Sequence, residues 1–274
     1  MEPLRPGDPP RLGGFRILGR LGEGGQGVVY LGESGGGEPV AVKVMHRGDD
    51  ERARTRFALE ASTAQRVASF CTAAVLAADV DGERPFIVCE YIDGPSLRDL
   101  VRRHGPRRGG ELDGLALGAV TALAGIHHAG IVHRDFKPAN VLIGPDGPRV
   151  IDFGIARALE ASTSLTSQVI GTPSYMAPEQ FFGERPGPAT DMFAWAGTMA
   201  YAANGSPAFG DDTIPAVMQR ILNEDPALGR LSGRLRAVAA ACLAKDPARR
   251  PDAGQVMCDL PSAGADARHA FTPG

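Results

Sequence analysis

Hydrophobic and polar positions change their period part-way along the chain. Phe15 to Gly19, Val28 to Leu31, Pro39 to Met45, Ala73 to Asp79 and Arg84 to Glu90 are short apolar runs. Glycine-rich residues at Glu33 to Glu38 and the Asp81-Gly82 pair separate some of them, as hairpin turns do. Arg52 to Val67 is the exception, with Phe57, Ala61 and Ala64 on one face of a predicted helix. Beyond Ser96 the helical period takes over. Leu97 to Arg103 predicts a short helix, and Leu112 to Ala129 a long buried one that stops at Gly130. Residues 1 to 12 are rich in Pro, Gly and Arg without periodicity and read as a flexible leader. Pro261 to Gly274 reads as a disordered tail.

The most informative stretch runs from Ile131 to Gly154. Val141 to Ile143 and Arg149 to Ile151 flank Gly144-Pro145-Asp146-Gly147, a hairpin connection. A hairpin brings its ends together, so Asp135, Asn140 and Asp152 are expected to converge, with Lys137 among them. Such a set suits a metal-bound polyphosphate and a hydroxyl nucleophile better than a solvated face.

A second polar feature lies near the start, in Leu21-Gly22-Glu23-Gly24-Gly25-Gln26-Gly27-Val28-Val29. Spaced glycines alone also fit a dinucleotide fold, but that fold needs a helix next. Val28 to Leu31 reads as a strand instead. The element is therefore strand-turn-strand, where missing Cβ atoms permit close backbone approach to a ligand. Lys43, inside an apolar strand, is costly there unless paired. Glu60, central in the predicted helix, is the chosen partner. Glu51 stands too near the helix start, where it serves the dipole.

Length and composition set the frame. The chain has 274 residues, 43% hydrophobic and 22% charged, enough for one large domain or two close lobes. A net charge of -3 gives no general pull toward nucleic acid or anionic membrane. Cys71, Cys89, Cys242 and Cys258 lack metal-ligand spacing, so a reducing, cytoplasmic setting is expected. No apolar run is long enough to span a bilayer. Plentiful Gly and Pro (36 and 22), with frequent Ala and Arg, read as the coding bias of a high-GC bacterial genome.

Together, His133-Arg134-Asp135, Asn140 and Asp152-Phe153-Gly154 resemble the catalytic and magnesium loops of eukaryotic-type (Hanks-type) bacterial serine/threonine protein kinases. The resemblance covers about Phe15 to Leu260. It implies an α+β, two-lobed fold over residues 13–260: a small lobe to residue 92, with five antiparallel strands and one helix, then a mainly helical lobe. ATP would lie in the cleft. Asp135 would take or orient the hydroxyl proton, Lys137 would steady the transferred phosphoryl group, and Asn140 and Asp152 would hold Mg2+, with Mn2+ as a substitute. Lys43 would meet the α- and β-phosphates. Leu21, Gly22, Glu23, Gly24, Gly25, Gln26, Gly27 and Val28 would form the lid. Val29, Ala41 and Leu142 would sandwich the adenine with Leu21, Cys89 would stand behind it, and Glu90 and Ile92 would read its edge.

The same resemblance reaches further along the chain. Gly171-Thr172-Pro173-Ser174-Tyr175 and Ala177-Pro178-Glu179 look like the substrate platform, with Thr172 bonded to Asp135 and Lys137. Asp191 would anchor the catalytic loop, and Arg250 would pair with Glu179. His133 would stack on Phe153. Thr166, then Ser164, are the favoured sites of activating autophosphorylation, with self-association for phosphorylation in trans. Protein Ser/Thr residues are the implied substrates. Competing readings are an ATP-binding pseudokinase scaffold, a small-molecule kinase and a nicotinamide oxidoreductase. The complete catalytic set, the platform and the strand at Val28 weigh against them in turn. A membrane tether is implied only if the natural chain continues past Gly274.

Overall fold

In the computed structural model the described residues are 1–24, 27–46, 51–64, 72–152 and 173–260. They fall into two units, Met1–Ile92 and Asp93–Gly274. The first is built on an antiparallel sheet and the second mainly on helices, the α+β composition expected from the sequence.

The first unit holds β1 (Arg11–Leu12), β2 (Phe15–Gly24), β3 (Gly27–Glu33), β4 (Pro39–Val44), α1 (Glu51–Ala64), β5 (Val75–Asp79) and β6 (Phe86–Glu90). Strand order is β1-β2-β3-β4-β6-β5. Alternation along β4 sorts its side chains: Val40, Val42 and Val44 are buried, while Ala41 and Lys43 lie half-buried on the opposite face. The valines join Leu12, Ile17, Val28, Tyr30, Phe86 and Val88 in one core. On the other side Phe57 and Ala61 of α1 pack with Met45, Ile87 and partly buried Cys89.

Two expectations need correction here. Among the described residues the sheet has six strands rather than five, because Arg11 and Leu12 pair with Arg16 and Phe15. The supposed flexible leader is also part of this unit. Leu12 is buried in the core, and Glu2 forms a bridge with Arg20. The first residues are held by polar contacts and backbone pairing, which leave no hydrophobic period to read.

The second unit contains α2 (Leu97–His104), α3 (Gly109–His128), β7 (Val141–Gly144), β8 (Gly147–Val150), α4 (Pro178–Phe181), α5 (Pro188–Asn204), α6 (Ile214–Asn223), α7 (Gly233–Cys242) and α8 (Ala253–Asp259). Ser96 caps α2 by accepting from Asp99 N–H, and Gly105 ends it at φ 77°. Arg107, in the basic stretch after α2, donates to the His104 and Gly105 carbonyls at that helix end. Helix α3 starts three residues before the predicted Leu112, since Gly109 and Gly110 gave no apolar signal.

Helix α5 is buried on nearly every side, the mark of a central core helix. Trp195 donates its indole N–H to Ala116 O of α3 at 3.3 Å. Phe193 stacks on Phe209. Both aromatics are core residues, as their apolar context indicated. Between α3 and α5 runs the polar loop that carries Asp135.

Candidate active site

The loop begins where α3 ends. Gly130 turns the chain at φ 74°, and Ile131 buries its side chain. His133 and Arg134 follow, and both donate their backbone N–H groups to one carboxylate. His133 N–H reaches Asp191 Oδ2 at 2.7 Å, and Arg134 N–H reaches Asp191 Oδ1 at 2.8 Å. His127 Nε2 lies 2.8 Å from Asp191 Oδ2. The Asp191 carboxylate is 1% exposed and sits in the first turn of α5. A core helix thus fixes the loop from within, as the sequence implied. His127, in the last turn of α3, thus adds its ring to the groups that meet this carboxylate.

Local geometry then places the polar side chains together. Lys137 Nζ donates to Asp135 Oδ2 at 2.6 Å. Asn140 Nδ2 donates to Asp135 O at 2.9 Å and stands 3.4 Å from Asp135 Oδ2. The short 3-10 turn Pro138–Asn140 sets that return, and it leads straight into β7. Val141 pairs with Val150 across the hairpin. Beyond the pair, Ile151 N–H donates to Asn140 O at 2.9 Å. This bond holds the backbone leading into exposed Asp152 beside Asn140. The predicted convergence is therefore present in the backbone for Asp152 and in side-chain contacts for Asp135, Lys137 and Asn140.

Strain marks the same place. Among the described residues, two non-glycines have positive φ: Arg134 at 68° and Asp152 at 55°. Each such residue costs about 1–3 kcal/mol and persists only where its surroundings impose it. Arg134 carries a second burden. Burial and the neighbouring Arg185 charge pull its guanidinium below the usual arginine range, against the opposing effect of Asp191. Its Nε is buried without a hydrogen-bond partner.

His133 is fully buried. Its Nε2 lies 3.1 Å from Ile151 O, and its ring meets Phe136 edge-on at 5.5 Å. The aromatic neighbour described here is Phe136; Phe153, named from the sequence, lies outside the described residues. Thr172 and the hydroxyls from Ser162 to Ser167 also lie outside them.

The second predicted pair in this unit is present. Arg250 grips Glu179 with two bonds of 2.8 Å, Nη1 to Oε1 and Nη2 to Oε2. Thr190 adds its hydroxyl to Glu179 Oε1 at 2.8 Å, and Arg250 lies over Phe193. Burial alone would raise the Glu179 pKa; the bonds from Arg250 and Thr190 outweigh it and lower it. Thr190 was not identified from the sequence, because one Thr before an apolar helix carries no distinctive signal. Leu142, half-buried, forms a bridge with Ser96. Gly94 lies so close to Ile143 O that no Cβ could fit.

In the first unit, register gathers several predicted binding residues. Val29 pairs with Lys43, Leu31 with Ala41, Ala41 with Cys89 and Lys43 with Ile87. Direct cross-strand partners share a face, so Val29, Ala41, Lys43 and Cys89 lie on one side of the sheet. Phe57 and Ala61 pack on that side. Glu60 is in the same helix, but its side chain lies outside the described residues. Gly22, Glu23 and Gly24 form the exposed end of β2. Gly27 has φ 145° and lies against Val44 O, so a Cβ is excluded by both conformation and space. Val28 is buried, whereas Leu21 is exposed at a register break between Arg20 and Gly22. Gly25 and Gln26 lie outside the described residues. Glu90 donates its N–H to Ala74 O at 2.8 Å, which occupies that donor. Ile92 is buried at the end of the unit.

The family model described as "Protein kinase domain" matches residues 15–260. This chain belongs to the protein kinase domain family. It is 46% identical over 263 residues to a probable serine/threonine-protein kinase, PkwA, of Thermomonospora curvata, covering 95% of this chain and 35% of that protein. It is 39% identical over 265 residues to the serine/threonine-protein kinase AfsK of Streptomyces coelicolor, covering 95% and 33%. The chain thus spans about a third of the length of these relatives. Among solved structures, Rad53 1-466 in complex with AMP-PNP aligns with a TM-score of 0.76 at 24% identity, covering 89% of this chain and 64% of that one. That likeness concerns the fold. Among the described residues, no helix of the kinase domain is long and apolar enough to cross a membrane.

Proposed function

We propose that this kinase domain transfers the γ-phosphoryl group of ATP to Ser or Thr hydroxyls of proteins. The observation that carries the reading is the Asp135, Lys137 and Asn140 cluster, seated on Asp191 and joined by backbone to Asp152. Asp135 accepts or orients the hydroxyl proton. Lys137, already 2.6 Å from Asp135, neutralises charge on the transferred group. Asn140 and Asp152 hold Mg2+, or Mn2+ in its place. Among the described residues, no cluster of three or more His, Cys, Asp or Glu forms a metal cage. Two oxygen ligands with phosphate oxygens and water completing the shell is how Mg2+ is commonly held.

The first unit supplies nucleotide recognition in this reading. Lys43, with Glu60 as its partner, binds the α- and β-phosphates. Glycines 22, 24, 25 and 27, with Glu23, Gln26 and Val28, form the lid. Leu21, Val29 and Ala41 flank the adenine, with Cys89 behind it. With the Glu90 N–H occupied by Ala74 O, the amide that reads the base is that of Ile92, and Glu90 offers its carbonyl. Thr172 links the substrate platform to Asp135 and Lys137. The protein acts in the cytoplasm, where ATP is supplied.

The test is incubation with γ-labelled ATP, Mg2+ and a mixed protein substrate, followed by phosphoamino-acid analysis. Label on Ser and Thr is expected. Label confined to Tyr, or none above a no-enzyme control, would overturn the reading.

A further inference from the structure

The first residues of the chain carry a polar network unlike the surface pairs elsewhere. Asp8 is only 4% exposed at its side chain and Arg20 11%. Arg20 grips Asp8 with two bonds, Nε to Oδ2 at 2.7 Å and Nη2 to Oδ1 at 2.6 Å. Asp8 Oδ2 also accepts the Arg5 backbone N–H at 2.7 Å, and Oδ1 accepts the Tyr30 hydroxyl at 2.7 Å. Each carboxylate oxygen thus has two donors. The Arg20 guanidinium holds this carboxyl well below the usual carboxylate range, with the Arg5 N–H and the Tyr30 hydroxyl adding to the effect and overcoming burial. A buried pair of this kind adds little net stability but fixes geometry, because an unpaired charge there is expensive.

The third nitrogen of Arg20 points to the glycine-rich hairpin. Arg20 Nη1 donates to Glu23 Oε2 at 2.9 Å, and Arg5 Nη1 donates to the same oxygen at 3.0 Å. Glu23 stands between Gly22 and Gly24, whose backbones are permissive by nature. The β2–β3 register also breaks between Arg20 and Gly22, so ladder pairing alone does not set the hairpin. Tyr30 brings β3 onto the same Asp8. Residue Glu2 pairs with Arg20 through two backbone bonds of 2.8 Å. Gly19 provides the seat: a Cβ there would meet Glu2 O and Met1 Cγ at 2.9 Å.

We propose that residues 1–9 are a strap that positions the glycine-rich hairpin for nucleotide, with Asp8 as a positioning residue acting through Arg20 and Glu23. This inference rests on the nucleotide-binding reading of that hairpin. A hairpin ordered beforehand loses less conformational freedom on binding, so the strap lowers the ATP concentration needed for turnover. The weight lies on the buried Asp8–Arg20 pair. Arg5 and Glu23 are half exposed, where ion pairs are weak.

The test separates KM from kcat. Asp8→Asn should raise the ATP KM roughly five- to tenfold and leave kcat within about twofold, since it removes binding shared by ground and transition states. Asp8→Glu, which keeps the charge, should recover part of the loss, and Arg5→Ala should change KM less than about twofold. Gly19→Ala displaces the strap without removing a charge and should raise the ATP KM in the same direction. It serves if Asp8→Asn does not fold. An unchanged ATP KM in a folded variant, with only the melting temperature lowered, overturns the proposal. Amide exchange along β2 and β3 judges the strap without any catalysis. Faster exchange in Asp8→Asn or Gly19→Ala supports it, and unchanged exchange contradicts it. Absence of phosphotransfer by the wild-type chain would count against the kinase reading, leaving the strap to the exchange result.

Discussion

Arg134 donates its backbone N–H to Asp191 Oδ1 at 2.8 Å while holding a φ of 68°. The bond explains how a strained, side-chain-bearing residue keeps its place beside Asp135. The same carboxylate holds His133, so one buried group sets the backbone on which the cluster is mounted. Asp191→Ala should therefore lower kcat by at least about tenfold, through misplacement of Asp135. Asp191→Asn should fall between, because its amide keeps one acceptor oxygen for two N–H groups. Rates at saturating ATP, with circular dichroism to confirm folding, check this. A folded Asp191→Ala with wild-type kcat would show that the loop holds its own shape.

Lys43 and Glu60 are proposed as a single interaction. Lys43→Ala and Glu60→Ala should each impair catalysis, and the double variant should be little worse than either. Contacting residues do not contribute independently. Additive losses in a double-mutant cycle on kcat/KM would point to another partner for Lys43.

Glu179 and Arg250 form a buried bidentate pair, with the Arg250 side chain 0% exposed. Removing one partner strands the other charge, so Arg250→Met should destabilise the domain by about 3–5 kcal/mol. The pH sign follows from the lowered Glu179 pKa. The contribution is full above the unfolded carboxyl value, about 4.3, and fades as pH falls below it. Denaturant midpoints for the wild type should drop on acidification through that range, and those for Arg250→Met should drop less. Equal acid sensitivity in both would remove this pair from the account.

These elements were unequally visible in the sequence. The Asp135 to Asn140 loop was legible because its geometry is local: a short turn, a hairpin with Asp-Gly, and polar groups at fixed spacing. Lys43 stood out in the sequence because a charge inside an apolar strand demands a reason, and it lies half-buried on β4. The register of β3, β4 and β6 then placed Val29, Ala41 and Cys89 on the same face, which alternation had allowed. The Asp8 network was not legible. Its bonds join residues 8, 20 and 30, and neither charge order nor hydrophobic period reveals such pairing. The His127 contact was not legible either, since its partner Asp191 lies 64 positions away.

Arg134 supplies the case for a switch. Its Nε is buried without a hydrogen-bond partner and its charge stands near Arg185. A phosphate would bring close to two negative charges and strong acceptors to such a position. Autophosphorylation in trans is therefore expected, centred on Thr166 and Ser164, and it should raise activity toward other substrates. Mass spectrometry of protein made with and without Asp135→Asn, followed by rates for Thr166→Ala, tests it. An unmodified segment in active enzyme, with Thr166→Ala at full rate, would reject the switch.

The central claim is that Asp135 carries the hydroxyl chemistry in a site organised for ATP. Its most direct measurement compares wild type and Asp135→Asn for ATP binding by calorimetry and for single-turnover transfer of labelled γ-phosphate to a Ser/Thr substrate. The prediction is nucleotide affinity within about twofold and transfer slowed by roughly 100-fold or more, the scale of a lost general base. Transfer by Asp135→Asn at the wild-type rate would contradict it.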